Sequence, residues 1–234
     1  MSAVGGERAA GNPDPLLIAC ALRIEQAALR SAGRGGSPGP ARGPGRGPTR
    51  ALTGGYTLLR TGMGPRAAER ALTRALDRPG MDRAAVLATG FCAGLVPGMH
   101  PGDLVVAEET RDLKGAVACT GSALLAEALA RAAPGRTVHT GALTGSDHVV
   151  RGQERAQLRA TGAIAVDMES AATLWTATRN SGRPVAAVRV IVDAPEHELV
   201  RIGTVRGGIS AFRVLRAVLP AFHEWHRSLL LPRR

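Results

Sequence analysis

The strongest constraint on the fold is the regular alternation of short apolar runs with helix-like segments along the chain. The apolar runs have the length and composition of buried strands, and amphipathic segments separate them. Strands that alternate with helices form a mostly parallel or mixed sheet covered by helices on both faces. We therefore predict an α/β fold with three layers, α/β/α. The predicted strands span residues 15–21, 56–60, 84–88, 103–108, 137–143, 163–166 and 185–192, and the predicted helices 25–31, 66–76, 122–133, 154–161, 169–179 and 209–227.

Length and composition predict one domain over residues 15–228. A chain of 234 residues with 44% hydrophobic residues can bury a full core, and with only 3% aromatics that core must be aliphatic. Residues 33–50 consist almost entirely of Gly, Pro, Arg and Ser, so they are predicted to be a flexible insertion. Residues 1–14 and 229–234 are predicted to be flexible termini.

The charge of the chain is strongly positive, with a net value of +11. The arginines are spread along the chain, and no basic helix carries the interleaved aromatics that stack on bases, so nucleic acid is not an expected partner. Residues 222–234 join Trp225 and three leucines to arginines, as a helix lying on a membrane surface would. A weak membrane contact is one interpretation of this segment, and an ordinary terminal helix packed on the core is the other.

The sequence predicts a cytoplasmic protein. If the protein contacts the membrane, the contact is expected at the inner face. No apolar run approaches the roughly 20 residues that span a bilayer, and the first residues lack an apolar signal region. The three cysteines are odd in number and widely spaced, which suits reduced thiols.

Carboxylates stand beside the apolar runs where chemistry is expected. Asp167 and Glu169 lie within the run 164–172, and Asp193 ends another run. Carboxylates beside a core are paired, hydrogen-bonded or catalytic, although Asp167 or Ser170 could also simply cap a helix. Glu25, Asp147, Glu169 and Asp193 all follow predicted strands, and ligands bind beyond the carboxyl ends of such strands. Two acids could serve as general acid and base while another holds a diol, which is the equipment for cleaving an N-glycosidic bond.

Two glycine-rich segments, 61–65 and 89–95, are predicted to be turns whose backbone N–H groups can hold a phosphate, a ribose or a water. The first is not a dinucleotide loop, because Ala67 stands where the third glycine belongs. The histidines and cysteines lack metal-ligand spacing, and no serine elbow is present. We expect no metal and no cofactor, only water or inorganic phosphate as co-substrate.

These motifs together resemble the nucleoside phosphorylase/nucleosidase family, and within it the methylthioadenosine/S-adenosylhomocysteine nucleosidases. The hopanoid-associated branch, which removes adenine from adenosylhopane, is the most similar. The strongest match is the V-D-M-E stretch in residues 165–171; the others are residues 18–25, 61–64, 89–94, 145–147 and 192–193.

The resemblance implies a three-layer homodimer that acts on a purine nucleoside. By this resemblance, Glu25 would activate the attacking water. Asp193 would protonate N7 of the departing purine or form a hydrogen bond with it. Partial burial is expected to keep a proton on Asp193. The substrate-binding residues would include Glu169 on the ribose hydroxyls and Met168 against the sugar. The others are Val149 in place of a stacking aromatic, Val150 whose backbone contacts the base edge, Gly90, Phe91 and Asp147.

Departures from the family pattern bear on the substrate. Phe91 replaces a small polar residue and Val149 an aromatic, which favours a large apolar 5′ group such as that of adenosylhopane over methylthioadenosine. Glu25 favours hydrolysis, while Arg23 and Arg60 leave phosphorolysis open. A methylthioadenosine/S-adenosylhomocysteine nucleosidase of methionine salvage is a further alternative. Outside enzymes, a nucleoside-binding protein or an RNA-associated basic protein using residues 33–50 is the alternative.

Overall fold

The computed structural model describes residues 14–33, 49–52, 56–195 and 204–230, with the side chains of 49–52 and 204–209 left out of the description. Most of the predicted flexible insertion and termini therefore lies outside the described residues. Among the described helices, none is both long and apolar enough to cross a membrane.

The described chain forms strands and helices in alternation, with two additional strands. The strands are β1 (Leu16–Cys20), β2 (Thr49–Leu52), β3 (Tyr56–Arg60), β4 (Ala85–Gly94), β5 (Leu104–Asp112), β6 (Gly115–Ala118), β7 (Val138–Gly145), β8 (Ala163–Asp167) and β9 (Val185–Asp193). The helices are α1 (Arg23–Ala32), α2 (Pro65–Leu76), α3 (Ser122–Ala132), α4 (Gln153–Ala160), α5 (Ser170–Thr178), α6 (Thr204–Ala217) and α7 (Leu219–Leu229).

All the described strands belong to one mixed sheet in the order β2-β3-β1-β4-β8-β7-β5-β6, and β9 pairs with both β4 and β5. Strand β4 runs parallel to β1 and β9 but antiparallel to β8. Strand β9 is antiparallel to β5, so it joins the two halves of the sheet. The ends of β4, β8 and β9 are thereby brought together at the centre of the sheet.

Helices cover both faces of the sheet because alternate strand residues point to opposite sides. Leu16 and Ile18 of β1 belong to a core cluster that includes residues of α1, α3, α6 and α7. Leu17, between them in sequence, belongs to a second cluster that includes residues of α2 and α5. The predicted three-layer α/β/α fold is confirmed, and its core is largely aliphatic.

Two edge strands were not predicted from the sequence. Strand β2 includes residues 49 and 50, so the end of the predicted flexible insertion is instead part of the sheet. It pairs antiparallel with β3, with Thr49 opposite Leu59. Strand β6 pairs antiparallel with β5. Edge strands depend on the neighbour that supplies their hydrogen bonds, and their own composition gives a weak signal.

The glycine-rich segment 89–95 was predicted to be a turn, and this prediction is wrong. Residues 89–94 continue β4, where Thr89 and Phe91 pair with residues of β9. The backbone hydrogen bonds of a central strand outweigh the turn preference of its glycines, which serve close packing there instead.

The predicted closing helix 209–227 is two helices, α6 and α7, with Pro220 in the first turn of α7. Trp225 of α7 is only 1% exposed, and its indole Nε1 donates a hydrogen bond to the Thr120 carbonyl at 2.7 Å. Trp225 is thus a core residue and cannot anchor the helix in a membrane surface. The interpretation of this segment as a terminal helix packed on the core describes α7.

Candidate active site

Three carboxylates that are far apart in sequence line one cavity of about 280 Å³. Glu25 lies in the first turn of α1, Glu169 is the N-cap residue of α5, and Asp193 ends β9. The cavity is at the lower end of the size range of small-molecule sites. The other lining residues are Ala21, Leu22, Met63, Phe91, Cys92, Ala93, His148, Val149, Val150, Arg155, Val166, Asp167, Met168 and Val192.

The Glu25 carboxylate is held by three backbone N–H groups. Its Oε2 accepts hydrogen bonds from the N–H groups of Ala21 and Leu22, both at 2.8 Å, and its Oε1 accepts one from Phe91 at 2.9 Å. The contact with Leu22 is half of a capping box at the start of α1. Glu25 is only 2% exposed. Its carboxylate is held in place by backbone N–H groups just after β1, at the start of its own helix and within β4. A carboxylate fixed in this way can act as a general base on a water in the cavity.

Gly90 lies behind Glu25 and is not among the residues that line the cavity. A Cβ built on Gly90 would be 2.5 Å from Glu25 Oε1 and 2.6 Å from Arg189 Nη1. Glycine is required there because the carboxylate and the guanidinium approach the strand backbone from the same side. Its neighbour Phe91 does line the cavity.

Arg189 is a buried cation beneath the site that the sequence reasoning missed. It is 1% exposed and its Nη2 is 2.5 Å from Asp167 Oδ2. Its Nε donates to Ser170 Oγ at 2.9 Å and its Nη1 to the Thr89 carbonyl at 3.0 Å. The Asp167 carboxylate also accepts the Ser170 N–H at the start of α5, so capping and ion pairing coincide. The sequence did hold a signal, because an arginine in the apolar run of β9 must find a partner.

Glu169 combines burial with a backbone hydrogen bond. Its Oε1 accepts the Gly64 N–H at 2.8 Å, so the glycine-rich segment after β3 does bring a backbone donor to the site. Burial raises the pKa of Glu169 from its ordinary value to about 7, with the nearby Arg189 charge and the Gly64 bond opposing that rise. The nearby Asp167 and Glu25 charges add to it. The charge of this carboxylate therefore changes near neutral pH.

Asp193 forms an ion pair with Arg155 of α4, which the sequence reasoning also missed. Both guanidinium Nη atoms contact the Asp193 carboxylate, Nη1 at 3.4 Å from Oδ1 and Nη2 in a closer contact with Oδ2. Arginine keeps its charge in proteins, so this carboxylate faces a permanent cation. The prediction that burial keeps a proton on Asp193 did not include this partner. No local pattern marks Arg155, since α4 carries a second arginine, Arg159, and the pair joins positions 38 residues apart.

The residues predicted to meet the base and the sugar line the cavity. Val149 is 61% exposed at its edge, whereas Val150 is buried. The Val150 carbonyl accepts a hydrogen bond from Arg155 Nε at 3.3 Å. Met168 lies between this cavity and an adjacent one of about 550 Å³.

Asp147, like Gly90, is a predicted site residue that does not line the main cavity. Its side chain is 82% exposed and borders the adjacent cavity. It pairs with His148 Nδ1 at 2.7 Å, and His148 Nε2 is 3.0 Å from Glu154. Hydrogen bonds that the His148 ring donates to these two carboxylates raise the pKa of His148, and the same contact lowers the pKa of Asp147. His148 lines the main cavity, so it is the residue of this segment that the sequence reasoning overlooked.

The two arginines considered for phosphate, Arg23 and Arg60, are not among the residues that line this cavity. Cys92 does line it, but burial raises the pKa of its thiol far above the ordinary range, so it is not a reactive thiolate. In the part of the chain that the structure describes, no group of three His, Cys, Asp or Glu side chains could hold a metal ion.

Solved structures with the same fold include several nucleosidases. One is the 5′-methylthioadenosine/S-adenosylhomocysteine nucleosidase of Neisseria meningitidis in complex with methylthio-immucillin-A. It has 23% identity and a TM-score of 0.70, with 89% of this chain and 98% of that chain covered. The corresponding nucleosidase of Colwellia psychrerythraea in complex with adenine has 20% identity and a TM-score of 0.72, covering 92% and 96%.

A third similar structure is the futalosine hydrolase of Helicobacter pylori, with 17% identity, a TM-score of 0.72 and coverage of 90% and 97%. At these identities the likeness concerns the fold. A search of curated proteins by sequence returns no match. The family model described as the phosphorylase superfamily matches residues 39–220, which is more than half of the chain. The predicted family, fold and enzyme class are thereby confirmed, and the chain belongs to the phosphorylase superfamily.

Proposed function

We propose that this chain cleaves the N-glycosidic bond of a 5′-modified adenine nucleoside by hydrolysis and releases adenine. The observation that carries the proposal is the convergence of Glu25, Glu169 and Asp193 on one cavity of about 280 Å³. A binding protein needs no general base beside a sugar-binding acid, whereas bond cleavage needs both. The fold shared with nucleosidases and with a futalosine hydrolase supports the same reaction class.

The sugar lies against Glu169 and Met168 in this proposal. The ionised Glu169 carboxylate accepts hydrogen bonds from the 2′ and 3′ hydroxyls, and the Met168 side chain packs on the ring. As the C1′–N9 bond breaks, the sugar becomes oxocarbenium-like and attracts a nucleophile. Glu25 takes a proton from the water that attacks C1′, and Arg189 supplies positive charge behind it.

The base lies between the Val149 side chain, the Val150 backbone and Asp193. Asp193 is the acid nearest to the imidazole side of the purine, where negative charge develops as the base departs. Hydrolysis is favoured over phosphorolysis because Arg155, which lines the cavity, and Arg189, which lies beneath it, already have carboxylate partners. A free phosphate would require guanidinium groups that are not committed in this way.

The substituent at the 5′ position is apolar in our proposal, with adenosylhopane as the candidate substrate. Phe91, Met63 and Val149 give the cavity apolar walls, and both Met63 and Val149 are more than half exposed at its edge. A methylthioadenosine/S-adenosylhomocysteine nucleosidase is the second candidate function. Similar structures that are complexes with methylthio-immucillin-A and with adenine support it.

Three expectations about the surroundings of the enzyme stay predictions. These are a homodimer, a cytoplasmic location and a weak contact with the inner face of the membrane. The burial of Trp225 gives the membrane contact no support from α7.

A purine-release assay with Asp193→Asn tests the reaction. We expect the wild-type enzyme to release adenine without added phosphate, and the variant to lose nearly all of this activity while its circular dichroism is unchanged. The substrates compared are adenosylhopane, methylthioadenosine and S-adenosylhomocysteine. A preference for methylthioadenosine would replace the hopanoid proposal by the second candidate. Release that requires phosphate and yields ribose 1-phosphate would replace hydrolysis by phosphorolysis, and a fully active variant would remove Asp193 from the reaction.

A further inference from the structure

A second cavity, larger than the candidate active site, lies between the end of α1, the start of β3 and the helices α6 and α7. Its volume is about 940 Å³, compared with about 280 Å³ for the cavity that contains the three carboxylates. We refer to it as the α6/α7 cavity. Its volume is within the range of small-molecule sites, so it has room for a ligand.

The α6/α7 cavity lies at the edge of the sheet opposite to the candidate active site. Strands β1 and β3 are parallel, and the cavity is lined by Tyr56, the first residue of β3, and by Asp14, two residues before β1. Glu25 instead follows the carboxyl end of β1. Helix α1 connects the two places, since Glu25 is in its first turn and Ala32, at its end, lines the α6/α7 cavity. Seven residues of helix, roughly 10 Å, separate the two cavities along α1.

Positive charge without carboxylate partners surrounds the α6/α7 cavity. Arg213 and Arg216 of α6 and Arg227 of α7 line it. Within the described part of the chain, none of these three arginines forms an ion pair. Asp14, the one acid among the described residues that line the cavity, pairs with Arg83 at 3.1 Å. Cations that line a common space repel one another, and an anion between them would relieve that repulsion.

Two histidines of α7 also line the cavity, His223 and His226. Burial lowers the pKa of His223, and the charges of His226 and Arg227 lower it further. Burial lowers the pKa of His226 as well, with Asp14 opposing that change. Both rings are therefore neutral near pH 7, and each can offer one N–H group to a ligand.

A buried hydroxyl at the wall of the cavity lacks a partner. Tyr56 is 3% exposed, and its Oη has no hydrogen-bond partner among the described residues. Its ring contacts the His223 ring edge to face, with 4.9 Å between the centroids, and a Cβ built on Gly33 would be 2.9 Å from Tyr56 Oη. Since His223 and Gly33 both line the cavity, the hydroxyl is at its wall. A buried O–H group without an acceptor is costly, and a ligand oxygen would supply the acceptor.

We propose that the α6/α7 cavity is a second binding site, which takes a phosphate monoester carrying an apolar group. A phosphate monoester has close to two negative charges and three acceptor oxygens near pH 7, which suits several guanidinium groups better than a single carboxylate does. The arginines and the histidine N–H groups hold the phosphate, and the Tyr56 hydroxyl donates a hydrogen bond to one of its oxygens. The apolar group packs on Leu219, Pro220 and Leu230.

This site is independent of the proposed glycosidic reaction. A phosphate at the opposite edge of the sheet is too far from Glu25 to replace the attacking water, so its binding would not indicate phosphorolysis. Failure of the proposed function would show as absent adenine release, whereas failure of this proposal would show as absent phosphate-ester binding.

Calorimetry with butyl phosphate, inorganic phosphate and butanol tests the combined recognition of charge and apolar surface. We expect butyl phosphate to bind roughly 10- to 100-fold more tightly than inorganic phosphate, because its four carbons are buried on binding. Butanol should show no binding. Equal affinity for butyl phosphate and inorganic phosphate, or no binding of either, would overturn the proposal.

Substitutions in the cavity locate the binding. Arg216→Gln should weaken butyl phosphate binding by roughly tenfold or more, the size of a hydrogen bond to a charged group. Arg70→Gln, which removes the same charge from an exposed position on α2, is the matched control and should bind as the wild-type protein does. If Arg216→Gln also kept the wild-type affinity, the binding would be elsewhere and the proposal would be wrong.

Tyr56→Phe removes only the unpaired hydroxyl. We expect it to weaken butyl phosphate binding by roughly 3- to 10-fold, while the free energy of unfolding without ligand stays equal or increases. A less stable variant would mean that the hydroxyl already has a partner within the chain, which would overturn its assignment to a ligand. Tyr56 is the only tyrosine of the chain, so ¹³Cζ-labelled tyrosine gives a single NMR resonance. That resonance should shift when butyl phosphate is added, and an unchanged resonance at saturation would contradict the proposal.

Vesicles distinguish a lipid phosphate from a soluble ester as the source of the ligand. Phosphatidylcholine vesicles with and without phosphatidic acid are compared by co-sedimentation. Binding that requires phosphatidic acid and is weakened by both Arg216→Gln and Tyr56→Phe would support a lipid phosphate in the cavity. Binding of butyl phosphate without binding to either vesicle would support a soluble phosphate ester.

Discussion

Replacing Glu169 by glutamine tests the electrostatics of the site through protein stability. Burial raises the pKa of Glu169 from 4.5 to about 7. Between these values the folded chain holds a proton that the unfolded chain has released. The stability contributed by the protonated group is present below pH 4.5 and is lost as pH rises through 7. The shift corresponds to about 3 kcal/mol, so the ionised acid costs the fold roughly that amount above pH 8.

Glutamine removes this titration. We expect the free energy of unfolding of Glu169→Gln, relative to wild type, to rise by about 2 to 3 kcal/mol between pH 5 and pH 8. Urea unfolding at several pH values measures it, and the difference between the two proteins cancels the other titrating groups. Glu127→Gln, which changes an exposed acid on α3, should show no such rise. If wild type and Glu169→Gln depended on pH in parallel, the raised pKa would be refuted.

The ionisation of Glu169 should also control catalysis, but here the ionised form, which destabilises the fold, is the active one. Only the ionised Glu169 accepts both ribose hydroxyls in our proposal, so kcat/KM should be about tenfold lower at pH 6 than at pH 8. Glu169→Gln should lose this dependence and be roughly 10- to 100-fold less active at pH 8. The acid that binds substrate would then be one that destabilises the fold, as is common at functional sites. An unchanged acidic limb in the variant would assign the limb to another group.

Two further substitutions test Glu25 and the glycine packed behind it, Gly90. Glu25→Gln should lower kcat by roughly 10²- to 10⁴-fold with little change in KM, because it removes the general base and keeps the shape of the side chain. Stopped adenine-release assays measure kcat and KM. A near-normal kcat in the variant would contradict the assignment of Glu25 as the base. Gly90→Ala would place a methyl group 2.5 Å from Glu25 Oε1 and 2.6 Å from Arg189 Nη1, so we expect loss of both activity and stability. Gly98→Ala, like Gly90→Ala, replaces a glycine with positive φ, but the added Cβ would contact no heavy atom within 4 Å outside its chain neighbours, so this variant is the control for backbone strain in urea unfolding. Equal losses in the two alanine variants would show that crowding at Gly90 is not the cause.

The sequence by itself determined the layers of the fold and the acids of the site. Continuous apolar runs, such as Leu16, Leu17 and Ile18, bury both faces of a strand because successive side chains point to opposite sides, and this pattern is local. Carboxylates directly after such runs are visible for the same reason, because their cost beside a core is a property of the segment itself. Glu25, Glu169 and Asp193 could thus be named before their proximity was known.

Only the tertiary structure decided which charges those acids meet. Asp193 faces Arg155 across 38 residues of chain, and Glu169 accepts a hydrogen bond from Gly64 across 105. In a chain with many arginines, composition cannot distinguish the two that are buried against carboxylates from those that face solvent. The extension of β4 through Gly90, the edge strand β2 and the outward position of Asp147 have the same origin. Each depends on a partner supplied by a distant segment, and folding alone brings that partner into contact.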